Sequence, residues 1–158
     1  SLKTCATGSG CQSSEKGVTL DQNWRWLHNN GGYSNCYDGN HWNTQYCPDP
    51  TTCAANCALE GVPLSDWKAP YGVASDGKTL RMNFVSYGSA GKNVGSRTFM
   101  LNSDSEYEMF QLINKEFTFT VDVSQMPCGV NGALYFVEMD KTGNMGNGNN
   151  AGAKYGTG

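Results

Sequence analysis

The sequence predicts an all-β fold of short strands, and three observations carry that prediction. Glycine supplies 20 of the 158 residues and tyrosine eight, while only 16% are charged, a turn-rich composition that suits β-proteins better than helical ones. Extended runs recur at fairly even spacing with Gly-, Asn- and Ser-rich turns between them, as in a sandwich. The clearest alternation lies over 116–123. It sets Phe117, Phe119, Val121 and Val123 on one face and Glu116, Thr118, Thr120 and Asp122 on the other. The length suits one domain with a real core, and no repeat or second domain is visible.

Residues 17–27 read as the first strand. Residues two apart on a strand share a face, so Trp24 and Trp26 would lie side by side, with Asn23 and Arg25 opposite. Such a pair is either core or an exposed platform on which the apolar faces of pyranose rings stack. An Asn/Gly/Tyr-rich loop follows through residue 46. Pro50, Thr51 and Thr52 introduce a short helix over 53–59, with a Thr available as N-cap. Residues 72–77 read as a turn region, and 79–87 as a strand with Leu80, Met82 and Phe84 on one face. Strands over 95–101 and 107–113 are joined by the turn at 102–105. The alternating strand at 116–123 precedes another at 132–140, and the Gly/Asn-rich stretch 141–150 is a loop.

Charge and hydropathy exclude several function classes. A net charge of −3 offers no basic field for nucleic acid. No apolar run approaches the roughly 20 residues needed to span a bilayer, and no signal peptide is present, so any targeting segment would lie upstream. Seven cysteines, Cys5, Cys11, Cys36, Cys47, Cys53, Cys57 and Cys128, point to an oxidising compartment. Cys53 and Cys57 lack the matched second pair a zinc site needs, and His28 and His41 are isolated, so no metal is expected. Disulfides Cys5–Cys11, Cys47–Cys53 and Cys36–Cys57 are one hypothesis among the fifteen pairings that six cysteines allow. Cys128 is left as a free thiol, an intermolecular bridge, or half of a bridge whose partner lies outside this chain.

Two strands carry polar groups suited to a ligand. Arg97 is in phase with Phe99 and Leu101, a costly place for a guanidinium unless it is paired or meets a ligand. Asn93 lies just ahead of it across Gly95. Asn131 and Tyr135 share one face of the 132–140 strand with Ala133 and Val137. The alternative for these residues is structural: a salt-bridged Arg and a capping Asn.

Seven blocks occur in one order along the chain: residues 21–26 (DQNWRW), 35–40 (NCYDGN), 47–49 (CPD), 93–97 (NVGSR), 121–124 (VDVS), 127–137 (PCGVNGALYFV) and 151–158 (AGAKYGTG). Together they resemble the N-terminal part of glycoside hydrolase family 7, the cellobiohydrolases and endoglucanases of cellulose-degrading eukaryotes. The resemblance implies a concave β-jelly-roll sandwich of concanavalin-like type, incomplete over 1–158, which would be the N-terminal part of a single catalytic domain. It implies the three disulfides above, with Cys128 bridged to a distant cysteine. Trp24 and Trp26 match glucose-stacking platforms, Asn93, Arg97, Asn131 and Tyr135 match glucan contacts, and Tyr37 lies in a tunnel-lining loop. Lys154 and Tyr155 would precede a further substrate-binding segment. Ala58 stands where many members carry a cysteine.

The family's activity implies an intact, secreted, monomeric enzyme that hydrolyses β-1,4-glucosidic bonds of cellulose with retention. It would act without cofactor, releasing cellobiose processively as a cellobiohydrolase, with cellulose or cello-oligosaccharide as its partner. The alternatives are an endo-β-1,4-glucanase of the same family and a non-catalytic glucan-binding protein. Retention requires two carboxyl groups roughly 5–5.5 Å apart, carried in this family by Glu-x-Asp-x-x-Glu. Glu138 and Asp140 imitate its start, but Gly143 occupies the third acidic position. The catalytic pair is therefore expected outside this chain, and the 158 residues alone are expected to be inactive.

Overall fold

The computed structural model describes residues 1–146 and 148–158, excluding the Leu64 side chain. Among these described residues it is all-β, with eleven short strands against two short helices and three 3-10 turns. The opening hairpin pairs β1 (Leu2–Ala6) with β2 (Gly10–Ser14), with Cys5 opposite Cys11 in register and joined to it by a disulfide. Next come β3 (Gly17–Leu20), a 3-10 turn at Gln22–Trp24 and β4 (Leu27–Asn29). The helix α1 (Pro50–Asn56) runs into β5 (Cys57–Leu59), which pairs antiparallel with β4. A 3-10 turn, Leu64–Asp66, and a helix α2 (Lys68–Tyr71) lead to β6 (Val73–Ser75) and β7 (Leu80–Met82), which pair with each other. The pair β8 (Val85–Gly88) and β9 (Gly91–Val94) precedes β10 (Thr98–Ser103) and β11 (Glu106–Tyr107). The largest sheet is three-stranded, in the order β11, β10, β3.

Several predicted boundaries change for local reasons. The strand expected over 17–27 stops at Leu20 because Asp21 turns the chain: its Oδ1 accepts the Asn23 amide at 2.8 Å and opens the 3-10 turn. Trp24 and Trp26 are therefore not same-face neighbours on one strand. The helix expected over 53–59 begins at Pro50, where a missing N–H costs nothing. Its cap is Asp49 rather than a Thr: the carboxylate accepts the Thr52 amide at 2.9 Å and the Thr52 hydroxyl at 2.6 Å. It ends where residues 57–59 pair with β4. The 79–87 strand is interrupted at Asn83, whose amide turns aside to Gly72. The strand predicted over 107–113 keeps only its first residue, within β11. Segments 116–123 and 132–140 have the alternation of strands but join no ladder among the described residues. A strand is defined by its partner as much as by its own pattern.

Two small apolar clusters form the core. Leu20, Trp67 and Val73 pack with Val18, Trp24, Val62 and Tyr71, while Leu101, Tyr107 and Ala153 pack with Phe99 and Met139. The 3-10 turn Ala153–Tyr155 presses on β3, and Gly156 (φ 71°) follows it so closely that a Cβ there would collide with the Leu20 carbonyl oxygen. Disulfides Cys36–Cys57 and Cys47–Cys53 pin the long loop and α1 to β5. They are the pairings expected, and Cys128 is exposed and unbridged. No helix among the described residues is long and apolar enough to cross a membrane.

Candidate ligand cleft

The site is built around the point where β3 ends. Asp21 is 2% exposed, and a buried carboxylate must be paired. Its Oδ2 accepts Arg97 Nε at 2.6 Å, while its backbone amide donates to the Arg97 carbonyl at 2.9 Å. Arg97 stands just ahead of β10, so sheet pairing between β3 and β10 brings the two together. The guanidinium carbon lies 5.8 Å from the ring centres of both Trp24 and Phe99, a cation–π arrangement. The hydrogen bond that Arg97 donates to Asp21 is the main cause holding its pKa above the ordinary value, and the Tyr135 hydroxyl adds to it. Asp21, Arg97, Phe99, Tyr135 and Glu138 line a cleft of about 260 Å³. A half-exposed cation and a phenol here border a space the size of a small polar ligand, with the Trp24 indole beside the cation rather than in the lining.

The other predicted contacts divide between this cleft and its surroundings. Trp24 packs one side against the Leu20 cluster and is half-buried. Trp26 belongs to a second aromatic group, with His28 at 4.5 Å and a stacked Tyr33 at 6.2 Å, and its Nε1 donates to Asn35 Oδ1 at 2.6 Å. Tyr37 and Trp42 face each other at 4.7 Å across a tight turn closed by Asp38, whose carboxylate accepts the Asn40 and His41 amides. Trp42 also borders a larger open cleft of about 950 Å³, with Leu27, Leu59 and the Cys47–Cys53 disulfide. Asn93 lies on β9 opposite Ser86 of β8 and outside the cleft's lining, and its amide donates to Gly95 O at 2.8 Å and Ser86 Oγ at 3.3 Å. Asn131 is exposed and is not among the cleft's lining residues. Lys154 is exposed, and its carbonyl accepts the Thr19 hydroxyl at 2.7 Å.

Three residues were not anticipated. Asp21 ties the cleft together, and its position before a turn-forming Gln-Asn pair is the signal that a cap stands there. Trp42 pairs with Tyr37 from within the Asn/Gly/Tyr-rich loop. Arg25 is buried beneath the Trp24–Trp26 segment. Its Nε donates to Leu20 O at 3.0 Å, and its terminal nitrogens donate to Glu60 O at 3.1 Å and Thr19 Oγ1 at 3.2 Å. Its guanidinium also lies 5.9 Å from the Trp67 ring centre and 5.4 Å from that of Tyr155. Burial pulls its pKa below the ordinary value.

The carboxyl pair that catalysis would need is not assembled by Glu138 and Asp140. Asp140 Oδ1 is occupied as a loop cap, accepting the Thr142 amide (2.8 Å), the Thr142 hydroxyl (2.7 Å) and the Asn144 amide (3.1 Å). Those hydrogen bonds hold its pKa below the usual carboxylate range, the opposite of what a general acid requires. The sulfur atoms of Cys36, Cys47 and Cys57 lie within 4.8 Å of one another, but all are bound in disulfides and offer no thiolate to a metal.

A family model described as glycosyl hydrolase family 7 matches residues 1–158. The chain belongs to glycosyl hydrolase family 7. Its backbone superposes on a family 7 cellobiohydrolase from Daphnia pulex with a TM-score of 0.86 at 48% identity, covering 99% of this chain and 35% of that one. The cellobiohydrolase of Melanocarpus albomyces complexed with cellotetraose gives 0.84 at 38%, over 99% and 36%. The Humicola insolens endocellulase EGI gives 0.84 at 36%, over 99% and 39%. The chain thus spans little more than a third of the length of these structures, and the β-jelly-roll expected of it is the fold it shares with them.

Proposed function

We propose that this chain forms the glucan-holding part of a family 7 cellulase catalytic domain that hydrolyses the β-1,4-glucosidic bonds of cellulose with retention. The observation that carries the reading is the cleft at the end of β3. There Arg97 and Tyr135 line the cleft with hydrogen-bonding groups for sugar hydroxyls, and the Trp24 indole next to Arg97 offers an aromatic face for pyranose C–H groups. Trp26, Tyr37, Asn93 and Asn131 extend the contact to neighbouring glucose units. The nucleophile and the general acid/base belong to residues outside these 158, since Asp140 is spent as a cap and no second acid stands three residues beyond it. In such an enzyme one carboxylate attacks the anomeric carbon while the other protonates the departing oxygen, and water then releases the sugar with its configuration kept.

The cellobiohydrolase subtype, cutting processively to cellobiose, is favoured over an endoglucanase by the higher identity to the Daphnia enzyme than to the Humicola endocellulase. The intact enzyme acts as a secreted, extracellular monomer without metal or organic cofactor, and three disulfides support that compartment. Cys128 finds its partner in the remainder of the domain.

The test is proton NMR of the first products formed from cellohexaose by the full-length protein, with and without Glu138→Gln plus Asp140→Asn. The reading expects cellobiose among the products, the newly formed reducing end appearing first as the β-anomer, and little change of rate in the double variant. First-formed α-anomer, or an inactive double variant that still folds, would overturn it.

A further inference from the structure

We propose that Asp21 is a positioning residue of this cleft, a single buried carboxylate that sets both the Trp24 indole and the Arg97 guanidinium for glucan. The inference rests on the reading of Arg97 and Trp24 as glucan contacts. Trp24 and Arg97 come from segments 73 residues apart in sequence, and no backbone ladder fixes either side chain. Asp21 reaches both. Its Oδ1 accepts the Asn23 amide at 2.8 Å and opens the turn that carries Trp24, and its Oδ2 accepts Arg97 Nε at 2.6 Å.

The choice of Nε matters. It anchors the guanidinium by its inner edge and leaves the terminal nitrogens uncommitted to Asp21, in a cleft that Arg97 and Tyr135 line together, with the guanidinium carbon 5.8 Å from the Trp24 and Phe99 ring centres.

 The side-chain exposures fit that division: Asp21 is 3% exposed and Arg97 41%. A buried carboxylate cannot leave its partner cheaply, so Asp21 holds an otherwise mobile, half-exposed side chain in one orientation before any sugar arrives. Binding then forfeits less side-chain freedom.

Asp21→Asn separates the two duties. The Asn side-chain oxygen still caps the turn at Asn23, but its amide group is a donor and cannot accept Arg97 Nε. Cellotetraose binding to the full-length protein, read by calorimetry, is measured in a cycle of wild type, Asp21→Asn, Arg97→Ala and the double variant. The expected result is about tenfold weaker binding for Asp21→Asn in the wild-type background, and less than about twofold further loss in the Arg97→Ala background. An Asp21→Asn protein that binds within about twofold of wild type overturns the proposal, as does an equal loss in both backgrounds, the mark of a merely structural role. If Arg97→Ala itself binds like wild type, the underlying reading of Arg97 fails, a distinct outcome. Arg97→Lys gives an independent check should Asp21→Asn not fold. Lysine keeps the charge but lacks the planar Nε donor, so it should bind as weakly as Arg97→Ala, and wild-type affinity in Arg97→Lys overturns the proposal.

Discussion

Replacing Arg25 by Met keeps much of the side-chain volume and removes every donor beneath the Trp24–Trp26 segment. Three acceptors within 3.2 Å lose a partner, Leu20 O, Glu60 O and Thr19 Oγ1, and the Lys154 carbonyl loses a longer contact at 3.5 Å. Thr19 keeps its own bond to the Lys154 carbonyl at 2.7 Å, so its loss is partial. Each bond to a charged donor contributes about 1.5 kcal/mol at the low end, and the two longer cation–π contacts with Trp67 and Tyr155 add about 0.5 kcal/mol each. Against this total of about 5 kcal/mol stands the relief of a buried charge with no carboxylate in salt-bridge range, so the net loss expected is about 3 kcal/mol. Urea unfolding followed by tryptophan fluorescence measures it, with the slope m required to stay constant. Arg25→Lys should recover less than half of the loss, because one ammonium cannot span three acceptors held by separate segments. Stability of Arg25→Met within about 0.5 kcal/mol of wild type would refute the argument, since it is the size expected of an ordinary surface change.

Four further outcomes follow from the same geometry. Gly156→Ala should destabilise by more than about 2 kcal/mol in urea unfolding, because a positive φ and a collision with the Leu20 carbonyl act together. Removing the Cys36–Cys57 bridge by a double Cys→Ala change should cost about 2–4 kcal/mol, read the same way. Trp26→Ala should weaken cellohexaose binding about tenfold in a fluorescence titration, the loss of one stacked ring. In acid, Asp49 and Asp140 have pKa values held below the ordinary carboxylate value by the hydrogen bonds they accept. Their stabilisation is full above that value and is lost as pH falls through the depressed folded value. Thermal unfolding from pH 6 to pH 2 should therefore show a shallower acid decline in Asp49→Asn and Asp140→Asn than in wild type.

Composition and turn chemistry made the all-β class and the disulfide hypothesis legible, because glycine density and cysteine spacing are local properties. The ordered blocks also made the family legible. What they could not show was how Trp24 and Trp26 are disposed, since strand phase assumes an unbroken strand and Asp21 breaks it within one residue of Leu20. The Asp49 cap is hidden for a similar reason: Pro50 and the two threonines after it carry the same helix-start signal, while the cap itself stands one residue ahead of the proline. Residues 116–123 show the opposite failure. Their alternation is as clear as any in the chain, yet Val121 and Val123 are exposed and no neighbouring strand pairs with them among the described residues. Periodicity reports which faces a strand would have, while its partner decides whether one forms. Strand phase puts Arg25 on the face opposite the indoles but gives it no partner. Its four-sided burial depends on Glu60 and Lys154, which no local window includes.

The central claim, that the cleft at the end of β3 holds a glucan chain, is tested most directly by a crystal structure of the full-length protein with cellotetraose. The account predicts a glucose ring stacked on the Trp24 or Trp26 indole and sugar hydroxyls within hydrogen-bond distance of Arg97 and Tyr135. Well-ordered sugar elsewhere in the protein, with both indoles and Arg97 bare, would contradict it.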